Sequence, residues 1–283
     1  PLKVYQELIE AYRELILDPT IDDAVLALML QLPSEATLRE ASEPADPIAI
    51  YNSREFVRKA IASELERPLG DLYLRCAQVE TYNSHTSQIG RRSLKNAALG
   101  YLMLTGSGAD LAWRQFDEAD NMTDTAAALG ALVNCPDARD YAERALKQFE
   151  RRWHDEVLAM NLWFSIQARN PQPGGLDRVK SLLTHPLFTM KNPNKVRCVI
   201  GAFCNDNLVN FHQPRGEAYE FLAGKVLELN EINPQIGARL VIPLSRWRRY
   251  ASPYDSWLLG ALKRVAAHPG LAKDIQEIVS KSL

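Results

Sequence analysis

Apolar residues recur along this chain every three or four positions. Leu2, Tyr5, Leu8, Ile9, Tyr12, Leu15 and Ile16 open the series, and that spacing gathers them on one side of an α-helix. Asp18-Pro19 ends the run. Thr20 and Asp22 start a second helix that Pro33 closes, and Ser34-Glu-Ala-Thr marks a short third. Pro44 and Pro47 bracket a linker, and Asp46-Pro47 caps a long helix from Ile48 to Leu65. Pro68 marks a junction into a helix that reaches Tyr82. Ser87 to Leu104 follows, stopped by Gly106-Ser-Gly108.

The second half repeats the pattern. Asp110 to Glu118 reads as helix, and Asn121 caps Thr125 to Val133. Asn121 with Asp124 three residues on is close to a capping box, with Asp in place of Glu or Gln. Further helices are predicted over Ala138–Trp153, Glu156–Ala168, Leu176–Leu183, Gly216–Leu229, Asn233–Tyr250, Pro253–Ala267 and Leu271–Leu283. No window alternates apolar and polar residues as a strand would. The predicted class is therefore all-α. Short helices with short joints, about two per 30–45 residues, point to a right-handed α-solenoid or superhelix of stacked helix pairs, HEAT-like or armadillo-like. An irregular helical bundle is the alternative.

Composition narrows the function. The chain has 283 residues and is 46% hydrophobic, enough for a sizeable core. A net charge of -2 argues against a general nucleic-acid binder. No apolar run is long enough to span a membrane, and no signal peptide is visible. The start at Pro1 without a methionine is compatible with an excised fragment. Cys76, Cys135, Cys198 and Cys204 form no C-x-x-C pair, which suits reduced, mostly buried thiols in a cytoplasmic protein. No two of the five histidines stand three or four apart, so no metal site is expected. Nucleophile-elbow, phosphate-loop and zinc-protease motifs are absent. Asp22-Asp23 and Asp117-Glu118 read as solvated helix ends, and Arg246-Trp-Arg-Arg249 as a packed aromatic with flanking salt bridges. No catalytic residue is assigned.

One stretch carries a candidate binding chemistry. In Phe188-Thr-Met-Lys-Asn-Pro-Asn-Lys-Val-Arg-Cys-Val-Ile-Gly-Ala-Phe203, Asn192 suits an N-cap and Pro193 the first helical position. Lys195 and Arg197 then fall near a helix start, where cations are mildly unfavourable but an anion is welcome. Both cations either reach solvent or pair with a carboxylate, or they serve a ligand. The pattern returns in Asn233-Pro-Gln-Ile-Gly-Ala-Arg239. The starts are 233 − 192 = 41 residues apart, close to one HEAT-type repeat. Stacked repeats would set the two helix starts side by side. The ligand such a face suits is a carboxylate, held by the two-pronged guanidinium. Capping chemistry repeated by chance is the alternative.

Three motifs together give a family resemblance. They are Ile89-Gly-Arg-Arg-Ser-Leu-Lys-Asn-Ala-Ala-Leu-Gly-Tyr-Leu102, Phe116-Asp-Glu-Ala-Asp-Asn-Met-Thr-Asp-Thr-Ala-Ala-Ala-Leu129 and the Phe188–Phe203 stretch. With Leu17-Asp-Pro-Thr, Leu32-Pro-Ser-Glu and Met160-Asn-Leu-Trp-Phe164, the whole chain resembles the C-terminal helical domain of the bacterial aminopeptidase N family, gluzincin-type zinc alanyl aminopeptidases. The resemblance implies that residues 1–283 are a single C-terminal α-solenoid of a larger enzyme that removes N-terminal residues from peptides. It implies that Zn2+ is held by the catalytic domain, which this chain lacks, so the fragment alone is inactive. The implied role is to cap the catalytic domain, enclose its cavity and gate peptides. By motif, Arg197, Gln235 and Arg239 face that cavity on the primed side and bind substrate. The family often has Arg where this chain has Lys195. The implied partners are the catalytic domain of the same polypeptide and peptide substrates. Nucleic acid and membrane are not expected, and a bacterial, cytoplasmic monomer is. The rival reading is a non-catalytic helical-repeat scaffold that binds a protein partner.

Overall fold

This computed structural model describes residues 2–77 and 82–283. In chain order the helices are α1 (Gln6–Leu17), α2 (Asp23–Met29), α3 (Glu35–Ala41), α4 (Pro47–Glu64), α5 (Glu66–Cys76), α6 (Thr86–Leu102), α7 (Gly108–Glu118), α8 (Met122–Asn134), α9 (Arg139–Trp153), α10 (Val157–Arg169) and α11 (Gly175–Leu182). Then come α12 (Pro193–Val196), α13 (Ala202–Asp206), α14 (Leu208–Phe211), α15 (Glu217–Ile232), α16 (Pro234–Leu240), α17 (Ile242–Ser245), α18 (Tyr254–Ala266) and α19 (Lys273–Ser282). Among the described residues there is no strand. A lone parallel bridge joins Ala45 to Tyr250. No described helix is long and apolar enough to cross a membrane.

The caps follow the sequence. Asp22 accepts from Ala24 and Val25 N–H, Asp46 from Ile48 and Ala49, and Asn121 from Asp124. Each satisfies a first-turn donor that has no partner within its helix. Three expectations need correction. Pro68 lies inside the first turn of α5, which starts at Glu66, where a missing N–H costs nothing. The predicted end of that helix at Tyr82 is separated from it by residues 78–81, outside the described residues. The single helix expected over Asn233–Tyr250 divides into α16, α17 and a 3-10 turn, Trp247–Arg249. Pro243 causes the break, because it cannot donate to the Arg239 carbonyl and its ring crowds that oxygen.

The chain forms two compact units, each described on its own. The first is Pro1–Ser34 with Asn52–His154. Consecutive helices pack pairwise in it, α5 on α6, α7 on α8 and α8 on α9, while α2 lies on α6. That last contact needs Gly90, since a Cβ there would stand 2.9 Å from the Ala24 backbone nitrogen. Tyr101 donates to the Leu30 carbonyl at 2.6 Å. The two long motifs meet in a polar cluster. Asp124 pairs with Lys95 at 2.6 Å and accepts from Asn96 at 3.0 Å, and Gln115 donates to Asn96 and to the Asp124 carbonyl. A 630 Å³ cavity beside it includes Arg91, Arg92 and Arg114 in its wall.

The second unit is Glu35–Tyr51 with Asp155–Leu283. Here α10 packs on α11, α13 and the chain between α12 and α13, while α15 packs on α16 and α18. Buried asparagines close the end of α10. Asn207 donates to the carbonyls of Ala168 and Asn170 at 2.9 and 2.8 Å. Asn210 donates to those of Asn170 and Gln172, and accepts from Gly175 N–H at 3.1 Å. The same unit buries His212, whose Nδ1 lies 2.6 Å from the Tyr219 hydroxyl. Burial pushes the His212 pKa down to about 3, helped by the Arg39 charge.

Two stability predictions result. Asn210→Ala removes the acceptor of the Gly175 N–H and the amide that donates to the Asn170 and Gln172 carbonyls, and should cost about 2–3 kcal/mol in urea unfolding. His212 folds neutral with a pKa below its unfolded value. Its contribution is therefore complete above about pH 6.5 and lost as pH falls toward 3. Between pH 7.5 and 5 the loss should be on the order of 2 kcal/mol, and His212→Asn should flatten the pH dependence by that amount.

Candidate functional site

The site segment is one unbroken run of helix with an irregular centre. Asn192 Oδ1 accepts from Asn194 and Lys195 N–H at 2.9 and 3.4 Å, with Pro193 at the first helical position. After Val196 the coil widens into a π-helical stretch, Arg197–Gly201, before returning to α-helix at Ala202. A π-helical turn holds an extra residue and shifts the side chains after it around the axis. Such turns are frequent at functional sites. Arg197 opens the stretch. Its stem runs along Gly201, where an added Cβ would meet the Arg197 Cγ at 3.6 Å, and its side chain is exposed.

The two cations of the segment part company. Lys195 is only 6% exposed and lies over the Phe164 ring, Nζ 4.8 Å from the centroid. It therefore neither reaches freely into solvent nor pairs with a carboxylate, as either sequence reading would have it. Burial lowers its pKa, and the aromatic face offsets part of that cost. Phe164 is itself packed against Trp163, His185 and Phe188. Cys198 sits next to this group and donates to the Lys195 carbonyl at 3.3 Å. Burial pushes its thiol up to about 11, so it stays protonated at neutral pH and is not a nucleophile.

The second segment begins at Asn233, whose side chain accepts from Ile236 N–H at 3.3 Å. Gln235 and Arg239 are both exposed, and a spacing of four puts them on one side of α16. Because α16 ends at Leu240, Arg239 lies in its last turn. There the helix dipole favours a cation, the reverse of what a long helix would have given. Gly237 is buried between them, facing Ile275 of α19 and Leu229 of α15.

The three candidate residues thus lie in one unit and are all exposed. Among the described residues, none of their side chains takes part in a hydrogen bond or ion pair. The main packing neighbours of the two segments differ. The first rests on α10 and the second on α15 and α19. The basic cluster at the C-terminal side is occupied within the chain. Arg248 stacks on Trp247 at 4.3 Å and donates to the Ser282 and Leu283 carbonyls, and Trp247 Nε1 donates to Ser282. Among the described residues no three His, Cys, Asp or Glu side chains come together as a metal-binding group.

The sequence reading missed three features. One is the π-helical turn, another the burial of Lys195, and the third the asparagine cluster that anchors α10. The pairing of Asn207 with Asn210 three residues later was a visible signal, since that spacing is typical of a capped short helix, and Asn207 does accept from Asn210 N–H.

Comparison with known proteins gives the family. Residues 1–283 match the family described as "Domain of unknown function (DUF3458_C) ARM repeats". Aminopeptidase N of Escherichia coli is 37% identical over 289 residues, covering 100% of this chain and 32% of that protein. Aminopeptidase N of Caulobacter vibrioides is 36% identical over 276 residues, covering 97% of this chain and 32% of its own. A solved structure of Legionella pneumophila aminopeptidase A, in complex with aspartic acid, superposes with a TM-score of 0.89 at 28% identity, over 99% of this chain and 34% of that one. The chain spans about a third of the length of the curated relatives it matches. An all-helical chain whose whole length fits an ARM-repeat family, and which aligns with the C-terminal part of bacterial aminopeptidases, belongs to the DUF3458_C family of ARM repeats.

Proposed function

We propose that residues 1–283 are a single C-terminal α-solenoid domain of a zinc aminopeptidase that removes N-terminal residues from peptides. The relatives' names and the full-length family match support this reading. In it the domain caps the catalytic portion of the same polypeptide, encloses the active-site cavity and gates the admission of peptides. The working protein is a bacterial, cytoplasmic monomer. In this reading the zinc is held by the catalytic portion, and no step through it is assigned to this chain.

One observation carries the role of the site. Arg197 and Arg239 hold exposed guanidinium groups shortly after asparagine-capped helix starts, and neither has a carboxylate partner among the described residues. A guanidinium left free in this way is suited to an incoming carboxylate, which it grips through two parallel hydrogen bonds. The Gln235 amide, on the same side of α16 as Arg239, can donate to a peptide carbonyl. The substrate's free amino end would go to the metal, and its downstream backbone or C-terminal carboxylate to these side chains.

Contacts of this kind act equally in the ground and transition states, so they set KM more than kcat. In the full-length enzyme, Arg197→Ala and Arg239→Ala should each raise KM for di- and tripeptides by about tenfold, the effect of about 1.4 kcal/mol, with kcat little changed. Both variants should unfold within about 0.5 kcal/mol of the parent, because the side chains are exposed and unpaired. Unchanged KM in well-folded variants would refute the assignment.

A further inference from the structure

Helix α10 and the run from Pro193 to Asp206 lie side by side and point the same way. Asn161 Oδ1 faces Cys198 Sγ at 3.9 Å, and Arg169 pairs with Asp206 at 2.8 Å. Both pairs are 37 residues apart in the chain, as parallel neighbours in register must be. On that offset Arg197 stands level with Met160. The first turn of α10 therefore lies beside the exposed guanidinium. Val157 and Leu158, in that turn, are 59% and 82% exposed. Asn161 is half-buried, and its amide donates to no group among the described residues. Positions i, i+3 and i+4 share one side of a helix, so both apolar side chains stand on the side of Asn161, the side that meets Cys198. At 1.5 Å of rise per residue, they lie about 3–5 Å along the axis from the level of Arg197. Asp206 is the only acidic residue in either run, and Arg169 grips it through two nitrogens. Neither run offers Arg197 an unpaired carboxylate.

A lone exposed leucine needs no explanation. An apolar pair flanked by an amide with free donors and by an unpaired guanidinium has the parts of a peptide subsite, apolar surface with a few polar groups that fix orientation. We infer that Val157, Leu158 and Asn161 form the specificity wall of the Arg197 site, and that the peptide it takes ends in a large apolar residue. The guanidinium grips the terminal carboxylate. The Asn161 amide donates to the backbone carbonyl before it. The terminal side chain lies on Val157 and Leu158. The carboxylate contact is the same for every peptide, so the apolar pair is what discriminates between them. This rests on the reading of Arg197 as a substrate-binding group.

The test is steady-state kinetics of the full-length enzyme on two tripeptides that differ only in ending with leucine or glycine. The parent should show a KM about tenfold lower for the leucine peptide. Replacing the pair, Val157→Gln with Leu158→Gln, should bring the two KM values within about twofold of each other. Asn161→Ala should raise both KM values by about fivefold and keep their ratio. Because the substituted side chains are exposed or half-buried, each variant should unfold in urea near the parent's midpoint, which shows that it is folded. A leucine preference that is absent from the parent, or that survives in the double variant, would overturn the inference. Arg197→Ala separates it from the reading beneath it. If that variant raises both KM values while the double variant keeps the parent's ratio, the specificity wall alone is refuted. If Arg197→Ala leaves KM unchanged, the binding role of Arg197 is refuted and the wall with it.

Discussion

Two buried asparagines, Asn207 and Asn210, hold the second unit's candidate site in place. Their amides take up the carbonyls of Ala168, Asn170 and Gln172, and Asn210 caps Gly175 N–H at the start of α11. Left unpaired in the interior, each of those backbone groups would cost about 1–3 kcal/mol. The hydrogen bonds thus fix the end of α10, the start of α11 and the turn after α13 relative to one another. Helix α10 supplies Phe164, the surface under Lys195, and Asn161, which faces Cys198. The segment that carries Arg197 therefore rests on a helix whose end these amides fix.

Within that frame the two cations of one short motif take opposite fates. Lys195 is spent on packing. It covers an aromatic ring, lies out of reach of a carboxylate, and carries a lowered pKa as the electrostatic consequence. Arg197, two residues later, opens the π-helical turn and remains exposed and unpaired. Arg239 reaches the same condition by a different route, at the favourable end of a helix that Pro243 keeps short. Among the described residues neither guanidinium is paired with a carboxylate.

Much of the fold was legible because capping is local. Asp22, Asp46, Asn121, Asn192 and Asn233 each bind N–H groups within a few residues, and every one was placed from sequence. What failed was tertiary. The division after α16 needed the consequence of Pro243 to be weighed against a long apolar pattern. The π-helical turn has no periodic signature, and the burial of Lys195 depends on Phe164, 31 positions earlier in the chain. Arg197, Gln235 and Arg239 are exposed, and their two segments pack on different helices, the first on α10 and the second on α15 and α19.

The central proposal is that Arg197 and Arg239 receive the downstream end of a short peptide, and its C-terminal carboxylate is the group a guanidinium holds best. The most direct measurement compares a tripeptide with its C-terminal amide as substrates of the full-length enzyme and of the Arg197→Ala, Arg239→Ala double variant. If the guanidinium groups hold the carboxylate, amidation should raise KM by about tenfold in the parent, about 1.4 kcal/mol, and leave KM of the double variant nearly unchanged. The same rise in both enzymes would contradict the account, since the carboxylate would then be recognised elsewhere.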